Sequence, residues 1–122
     1  MASDRQKFDS VIEYKISDLM LCASIEEICR QSGSELKKTA STEEIEEELV
    51  GSGQLHVLII CDMVAITEQL EPVMKFAKSK GYEVLGYYPH VNRQIETLGR
   101  SLGVNYVTPR SALRARLRSL LT

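Results

Sequence analysis

Residues 56–62 (HVLIICD) decide the fold of this chain, because they join an unbroken apolar run to a terminal carboxylate. The run is long enough for one strand, and apolar spacing typical of a helix starts soon afterwards at Ile66. A strand without polar alternation is typical of the middle of a parallel sheet that is covered on both faces. Such a strand carries Asp62 to the edge of the sheet where ligand crevices form.

Four further strand and helix pairs are predicted around this central strand. The predicted strands are residues 11–16, 35–39, 56–61, 82–87 and 105–108. Apolar residues at three- and four-residue spacing predict a helix after each strand. The residues predicted to face inward are, helix by helix, Leu21, Cys22, Ile25, Ile28 and Cys29; Ile45, Leu49 and Val50; Ile66, Leu70, Val73, Met74 and Ala77; Ile95, Leu98 and Leu102; and Leu113, Leu117 and Leu120.

Polar residues and glycines predict where these helices begin and end. The predicted N-terminal caps are Ser17 or Asp18 for the first helix, Ser41 with Glu44 for the second, and Asn92 for the fourth. Gly33, Gly81 and Gly103 are predicted to end the first, third and fourth helices. Pro72 lies inside the third helical pattern and predicts a kink or an irregular first part.

The alternation of strands and helices predicts a doubly wound α/β fold with three layers. Each crossover between parallel strands returns to the same edge with a right-handed connection. For five strands the flavodoxin-like order 2-1-3-4-5 is expected, which places the charged second strand (ELKKT) at one edge. The two most apolar strands, the third and the fourth, then occupy interior positions.

The composition predicts an ordinary globular chain. It has 122 residues, of which 43% are hydrophobic and 26% charged, and a formal net charge of −2. One domain over residues 1–122 is expected, with a flexible N-terminus over residues 1–9. No apolar stretch is long enough to span a membrane and no signal peptide is recognised, so a cytoplasmic location is expected. The acidic balance argues against general nucleic-acid binding.

The three cysteines predict neither a zinc site nor a disulfide framework, because their number is odd and no CxxC spacing occurs. Cys22 and Cys29 lie on the apolar face of the first helix and are interpreted as small hydrophobic residues. Cys61 lies near a strand end and is the one thiol considered for reactivity. No cofactor is expected.

Charge is distributed unevenly along the chain. Residues 1–62 contain 13 acidic and 6 basic side chains, whereas residues 63–122 contain 4 acidic and 9 basic ones. The second helix is acidic and the last helix is basic. Either two copies of the chain or a complementary partner would use this asymmetry for docking; the alternative is that both are merely solvated faces.

The succession of elements resembles the receiver domain of response regulators. The resemblance is carried by Asp62 at the end of the third strand and by residues 103–109 (GVNYVTP), which look like the closing receiver pattern. It covers roughly residues 10–121. The resemblance implies a phospho-acceptor role for Asp62 and a divalent cation held by an acidic pair after the first strand.

Several receiver residues are missing. The acidic pair is replaced by Ile16-Ser17 or Ser17-Asp18, depending on register, so at most one carboxylate remains. At the end of the fourth strand the family has a serine or threonine, whereas residues 87–90 here read YYPH. The family lysine has no counterpart; Thr108 and Arg110 are the nearest candidates. These departures imply an atypical or pseudo-receiver in which the phosphorylation chemistry is slow or absent.

Polar side chains are nevertheless expected to meet at the crevice. The candidates are Ser17, Asp18, Asp62, His90 and Arg110, with Tyr88 and Arg93 nearby. No metal site is predicted, and Asp18 and Asp62 are the only weak candidates for one. For Asp62 the alternative is a strand-end carboxylate that caps the following loop or helix.

Two functions are weighed. The first is a stand-alone, non-enzymatic receiver-like module that acts by protein–protein contact, with another protein or as a homodimer. Its predicted interaction surface consists of Tyr106, Arg114, Arg116 and Arg118. The second is a flavodoxin-like enzyme or binding protein for a small anion or nucleotide that uses Asp62, His90 and Arg110.

Overall fold

The computed structural model describes residues 8–51, 53, 56–89 and 92–122, and in them five strands alternate with five α-helices. The strands are β1 (Ser10–Tyr14), β2 (Glu35–Thr39), β3 (Val57–Asp62), β4 (Glu83–Tyr88) and β5 (Tyr106–Pro109). The helices are α1 (Leu19–Ser32), α2 (Thr42–Leu49), α3 (Leu70–Lys80), α4 (Arg93–Ser101) and α5 (Leu113–Leu121).

The sheet is entirely parallel and its strand order is β2-β1-β3-β4-β5, which confirms the predicted topology. In the middle of the sheet, Ile59 of β3 lies level with Ile12 of β1 and with Val84 of β4. The five apolar residues of β3 are each at most 1% exposed. The unbroken apolar run therefore marks a strand that is covered on both faces.

Two apolar clusters lie on opposite faces of the sheet. One contains residues of α2 and α3 and is extended by partly buried side chains of α4, and the other contains residues of α1 and α5. Ile45 and Leu70 are fully buried in the first cluster, as are Ile25 and Leu117 in the second. Each such side chain contributes about 1.5–3 kcal/mol on burial. The three layers are held together mainly by this burial.

The predicted caps are confirmed. Asp18 and Asn92 each accept a hydrogen bond from the backbone amide three residues later. Ser41 Oγ accepts from the amide of Glu44 at 3.1 Å, while the Glu44 carboxylate accepts from the amide of Ala40 at 2.7 Å. The capping box of α2 therefore closes one residue further back than in the usual arrangement.

The start of the third helical segment is irregular, as Pro72 predicts. A 3-10 turn over Thr67–Gln69 precedes α3, and Ile66 lies before this turn rather than in the helix. Pro72 therefore occupies the first turn of α3, where a backbone amide has no partner within the helix. The missing amide of proline costs no hydrogen bond at that position.

Two predictions at segment ends are wrong. Val50 was expected to face inward, but it follows the last residue of α2 in an extended conformation and is 77% exposed. Phe8 and Asp9 were assigned to a flexible N-terminus. Instead Phe8 is buried in the cluster under α1 and α5, and the amide of Asp9 donates to the carbonyl of His56 at 2.8 Å.

Met63 fills a narrow space between the sheet and α4. A Cβ atom added to Gly86 in β4 would lie 2.6 Å from the Met63 sulfur, and one added to Gly99 in α4 would lie 2.7 Å from it. Met63 itself is fully buried. Both glycines are therefore required by the close approach of this side chain.

The substitution Gly86→Ala is expected to lower the free energy of unfolding by about 1–3 kcal/mol, because the new methyl group overpacks the space that Met63 fills. Urea denaturation measures this change. In a Met63→Ala background the same substitution should cost much less. An equal cost in both backgrounds would show that the Met63 contact is not the cause.

Candidate functional site

A cleft of about 200 Å³ lies at the carboxyl edge of the sheet. The residues that line it are Lys15, Ser17, Asp18, Asp62, Ala65, Tyr87, Pro89 and Arg110. Ser17, Asp18, Asp62 and Arg110 are therefore brought together, as the parallel topology predicts. His90, which was also predicted here, lies outside the residues that the structure describes.

An ion pair between Asp18 and Arg110 crosses this cleft. The guanidinium Nε donates to Asp18 Oδ2 at 3.0 Å, and a terminal guanidinium nitrogen donates to the same oxygen. The pair joins the N-terminal cap of α1 to the segment that follows β5. The pKa of Asp18 is lowered, first by the hydrogen bond from the Leu21 amide and then by Arg110. Asp18 is therefore an ionised group that already has a cation as its partner.

Asp62 caps the loop that follows its own strand. Its Oδ1 atom accepts hydrogen bonds from the amides of Val64 at 3.0 Å and Ala65 at 3.1 Å. This is the loop-capping alternative that the sequence left open. The carboxylate is half-buried, and its orientation is set by the backbone that it caps.

Lys15 occupies the position level with Asp62. The β1–β3 register pairs Tyr14 with Cys61, so the next residues along the two strands are Lys15 and Asp62. The first strand was predicted over residues 11–16 but ends at Tyr14, so Ile16 and Ser17 lie in the loop before α1 and Asp18 caps that helix. Lys15 adopts a φ of 55°, and its ammonium group donates to the Gln69 side chain at 3.2 Å.

The tyrosine that lines the cleft is Tyr87, not Tyr88. Tyr88 is only 7% exposed and packs in the apolar cluster under α2 and α3. Successive side chains of a strand point to opposite faces, so the expectation for Tyr88 missed by one residue. Burial, followed by the charge of Asp62, raises the pKa of Tyr87 above that of an ordinary tyrosine.

The donor set does not fit the divalent cation that the receiver resemblance implies. Such a cation needs several oxygen ligands, usually including more than one carboxylate. Here Asp18 is paired with Arg110, and Lys15 lines the same cleft as Asp62. Within the described parts of the chain, no three metal-binding side chains come together.

The predicted interaction surface on β5 and α5 is partly ordered by its own contacts. The Arg116 guanidinium lies 5.4 Å from the centre of the Tyr106 ring. The Tyr106 hydroxyl donates to the Glu83 carboxylate at 2.5 Å, and this hydrogen bond is the main cause that raises the Tyr106 pKa to about 12. Arg114 and Arg118 are exposed on α5. The three arginines are exposed and can contact a partner, whereas the Tyr106 hydroxyl is already bonded to Glu83.

A buried carboxylate in β1 was missed by the sequence analysis. Glu13 is 2% exposed, and its Oε1 atom accepts a hydrogen bond from the Cys22 thiol at 3.2 Å. Its Oε2 atom is buried with no hydrogen-bond partner. Burial is the main cause that raises the Glu13 pKa. The sequence does contain an indication of this burial, because Glu13 is an acidic residue in the middle of a strand that is predicted to have helices on both faces.

Cys61 is not a reactive thiol in the folded chain. It is fully buried in β3, and burial raises its pKa to about 12. Thiolate formation, which reactivity requires, is therefore suppressed at neutral pH. Cys22 and Cys29 are buried on the inner face of α1, as predicted.

Comparisons with protein-family models and with curated proteins give no match. Among the described helices, none combines the length and the apolar character needed to cross a membrane.

The substitution Glu13→Gln should make stability less dependent on pH. In the wild type the unfolded state loses the Glu13 proton first, so stability falls as the pH rises from the ordinary glutamate pKa toward the higher pKa of the folded state. The difference in free energy of unfolding between the variant and the wild type should therefore be more favourable to the variant at pH 8 than at pH 4. Urea denaturation at several pH values tests this, with the exposed Glu68→Gln as control; parallel pH profiles for wild type and Glu13→Gln would contradict it.

Proposed function

We propose that this chain is an atypical receiver-like regulatory module that acts by protein–protein contact and does not depend on phosphorylation of Asp62. The observation that supports this most directly is that cations of the chain itself occupy the surroundings of Asp62. Lys15 and Arg110 line the same cleft as Asp62, and Arg110 binds Asp18. A divalent cation at this position would have to compete with both positive charges.

Phosphorylation of an aspartate requires that negative charge on the incoming phosphoryl group be neutralised close to the attacking carboxylate oxygen. In receivers that task belongs to a cation held by several carboxylates. Asp62 has no second unpaired carboxylate among the residues that line its cleft. Its Oδ1 atom is also engaged by two backbone amides. We therefore expect Asp62 to stabilise the loop after β3 and not to accept a phosphoryl group.

The surface on β5 and α5 supports the proposed contact function. Tyrosine and arginine are enriched where proteins bind each other, and both are present here as Tyr106 and Arg116 in mutual contact. Their geometry is held by the hydrogen bond to Glu83, so less side-chain entropy is lost when a partner binds. A partner with acidic groups would be favoured by the positive charge of α5.

Incubation with magnesium and a small phosphodonor is expected to leave Asp62 unmodified, because the carboxylates that would hold the cation are absent or paired. Intact-mass measurement before and after treatment tests this, and Asp62→Asn serves as the matched control. A stable acyl-phosphate on the wild type that is lost in Asp62→Asn would refute independence from phosphorylation.

A second candidate function is the binding of a small anion in the cleft. It is favoured by one observation, which is that Lys15 and Arg110 line the same cleft. The volume of about 200 Å³ suits an inorganic anion better than a nucleotide, because drug-sized ligands need roughly 300–1,000 Å³.

If this second function holds, inorganic phosphate or sulfate should raise the melting temperature of the wild type more than that of a variant without the site, since a ligand of the folded state adds stabilisation by mass action to the general effect of these salts. The control is Lys15→Gln, which removes one cation from the cleft. An increase that sodium chloride at equal ionic strength does not reproduce, and that Lys15→Gln abolishes, would establish anion binding. Equal melting curves would exclude it.

A further inference from the structure

Large apolar side chains are exposed at two separate places on the surface. One place lies beside the basic helix α5, and the other lies at the end of the acidic helix α2. Leu19 and Met20 at the start of α1 are both 82% exposed, and Val50 after α2 is 77% exposed. Arginines of α5 lie beside the first place and glutamates of α2 beside the second. The two places are therefore complementary in charge and alike in apolar character.

The acidic stripe consists of Glu43, Glu47 and Val50. Glu43 and Glu47 are four residues apart and lie on the same face of α2, and Val50 caps the C-terminal end of this helix with its amide bonded to the Glu46 carbonyl. Glu46 and Glu48 already form ion pairs with lysines of the chain. By contrast, no lysine or arginine of the described residues lies within ion-pair distance of Glu43 or Glu47.

The basic stripe consists of Met20, Arg114 and Arg118. Met20 and Arg114 line one cleft of about 240 Å³ between α1 and the start of α5. Arg118 lies one turn further along α5 and is exposed. Neither arginine forms an ion pair with another described residue, and Arg114 donates a long hydrogen bond of 3.5 Å to Ser24.

We infer that the acidic stripe of one copy binds the basic stripe of a second copy, with α2 and α5 antiparallel. This inference rests on the proposed contact function and names its partner as the chain itself. The facing pairs are Val50 with Met20, Glu47 with Arg114, and Glu43 with Arg118. The charged residues are four apart on both helices, which is about 6 Å in each case, so both charge pairs form in one register. Antiparallel alignment also brings opposite helix dipoles together.

The two stripes lie in different layers of the fold, and this decides the form of the assembly. α2 packs on the first apolar cluster, whereas α1 and α5 pack on the second, on the other face of the sheet. One contact between two copies therefore leaves one acidic and one basic stripe free. Association is head to tail and continues beyond a dimer. Because exposed ion pairs are weak and screened by salt, the contact is concentration-dependent and weakens at high ionic strength.

Charge reversal tests this contact. In sedimentation at low salt, the average mass of the wild type should rise with concentration up to about 1 mM, the scale of weak contacts. Arg114→Glu with Arg118→Glu, and separately Glu43→Arg with Glu47→Arg, should each weaken association about tenfold or more. An equimolar mixture of the two variants should associate again, because every stripe then faces its opposite. Circular dichroism establishes that each variant is folded.

The variant Lys75→Glu with Lys78→Glu on α3 is the matched control for the arginine variant, because it changes the net charge by the same amount. It should associate as the wild type does. The uncharged variant Val50→Ser should weaken association without any change in charge. A monomeric wild type, equal loss in the α3 control, or no recovery in the mixture would overturn the inference. These outcomes leave the mass test on Asp62 unaffected, whereas association that appears only after phosphodonor treatment would contradict the proposed function instead.

Discussion

The burial of β3 on both faces is the constraint on which the rest of the structure depends. Five consecutive residues with at most 1% exposure need a layer of helices above and below them. In this chain the helices that connect successive parallel strands supply both layers. Parallel strands in turn end at one common edge, and that edge brings Lys15, Asp18, Asp62 and Arg110 into a single cleft although they are far apart in sequence.

At that edge the chain balances its charges internally. Arg110 binds Asp18 across the cleft, Lys15 adds a second cation, and Asp62 accepts hydrogen bonds from its own loop. The Asp18–Arg110 pair connects the N-terminal cap of α1 to the turn that precedes α5. The polar groups left for recognition lie mainly on the outer faces of α2 and α5, where opposite charges are carried by separate helices.

The sequence was sufficient for the topology, because strand burial, helix faces and caps are local patterns that agree with one another. It was insufficient where one residue of register decides the outcome. β1 ends at Tyr14, two residues earlier than predicted, so Lys15 is the first residue after the strand and lines the cleft with Asp62. Similarly, alternation places Tyr87 and not Tyr88 at the cleft. The burial of Glu13 depends on which neighbours α1 and β2 supply, and no local pattern records that.

The three cysteines have a practical consequence for following this protein in solution. All three are buried, with Cys61 fully enclosed in the central strand and Cys29 1% exposed, and their pKa values are raised to between about 11 and 12. A thiol reagent can therefore modify them only when the molecule opens. Alkylation rates would report how often α1 separates from the sheet and how often the whole sheet comes apart. No cysteine has to be introduced for this measurement.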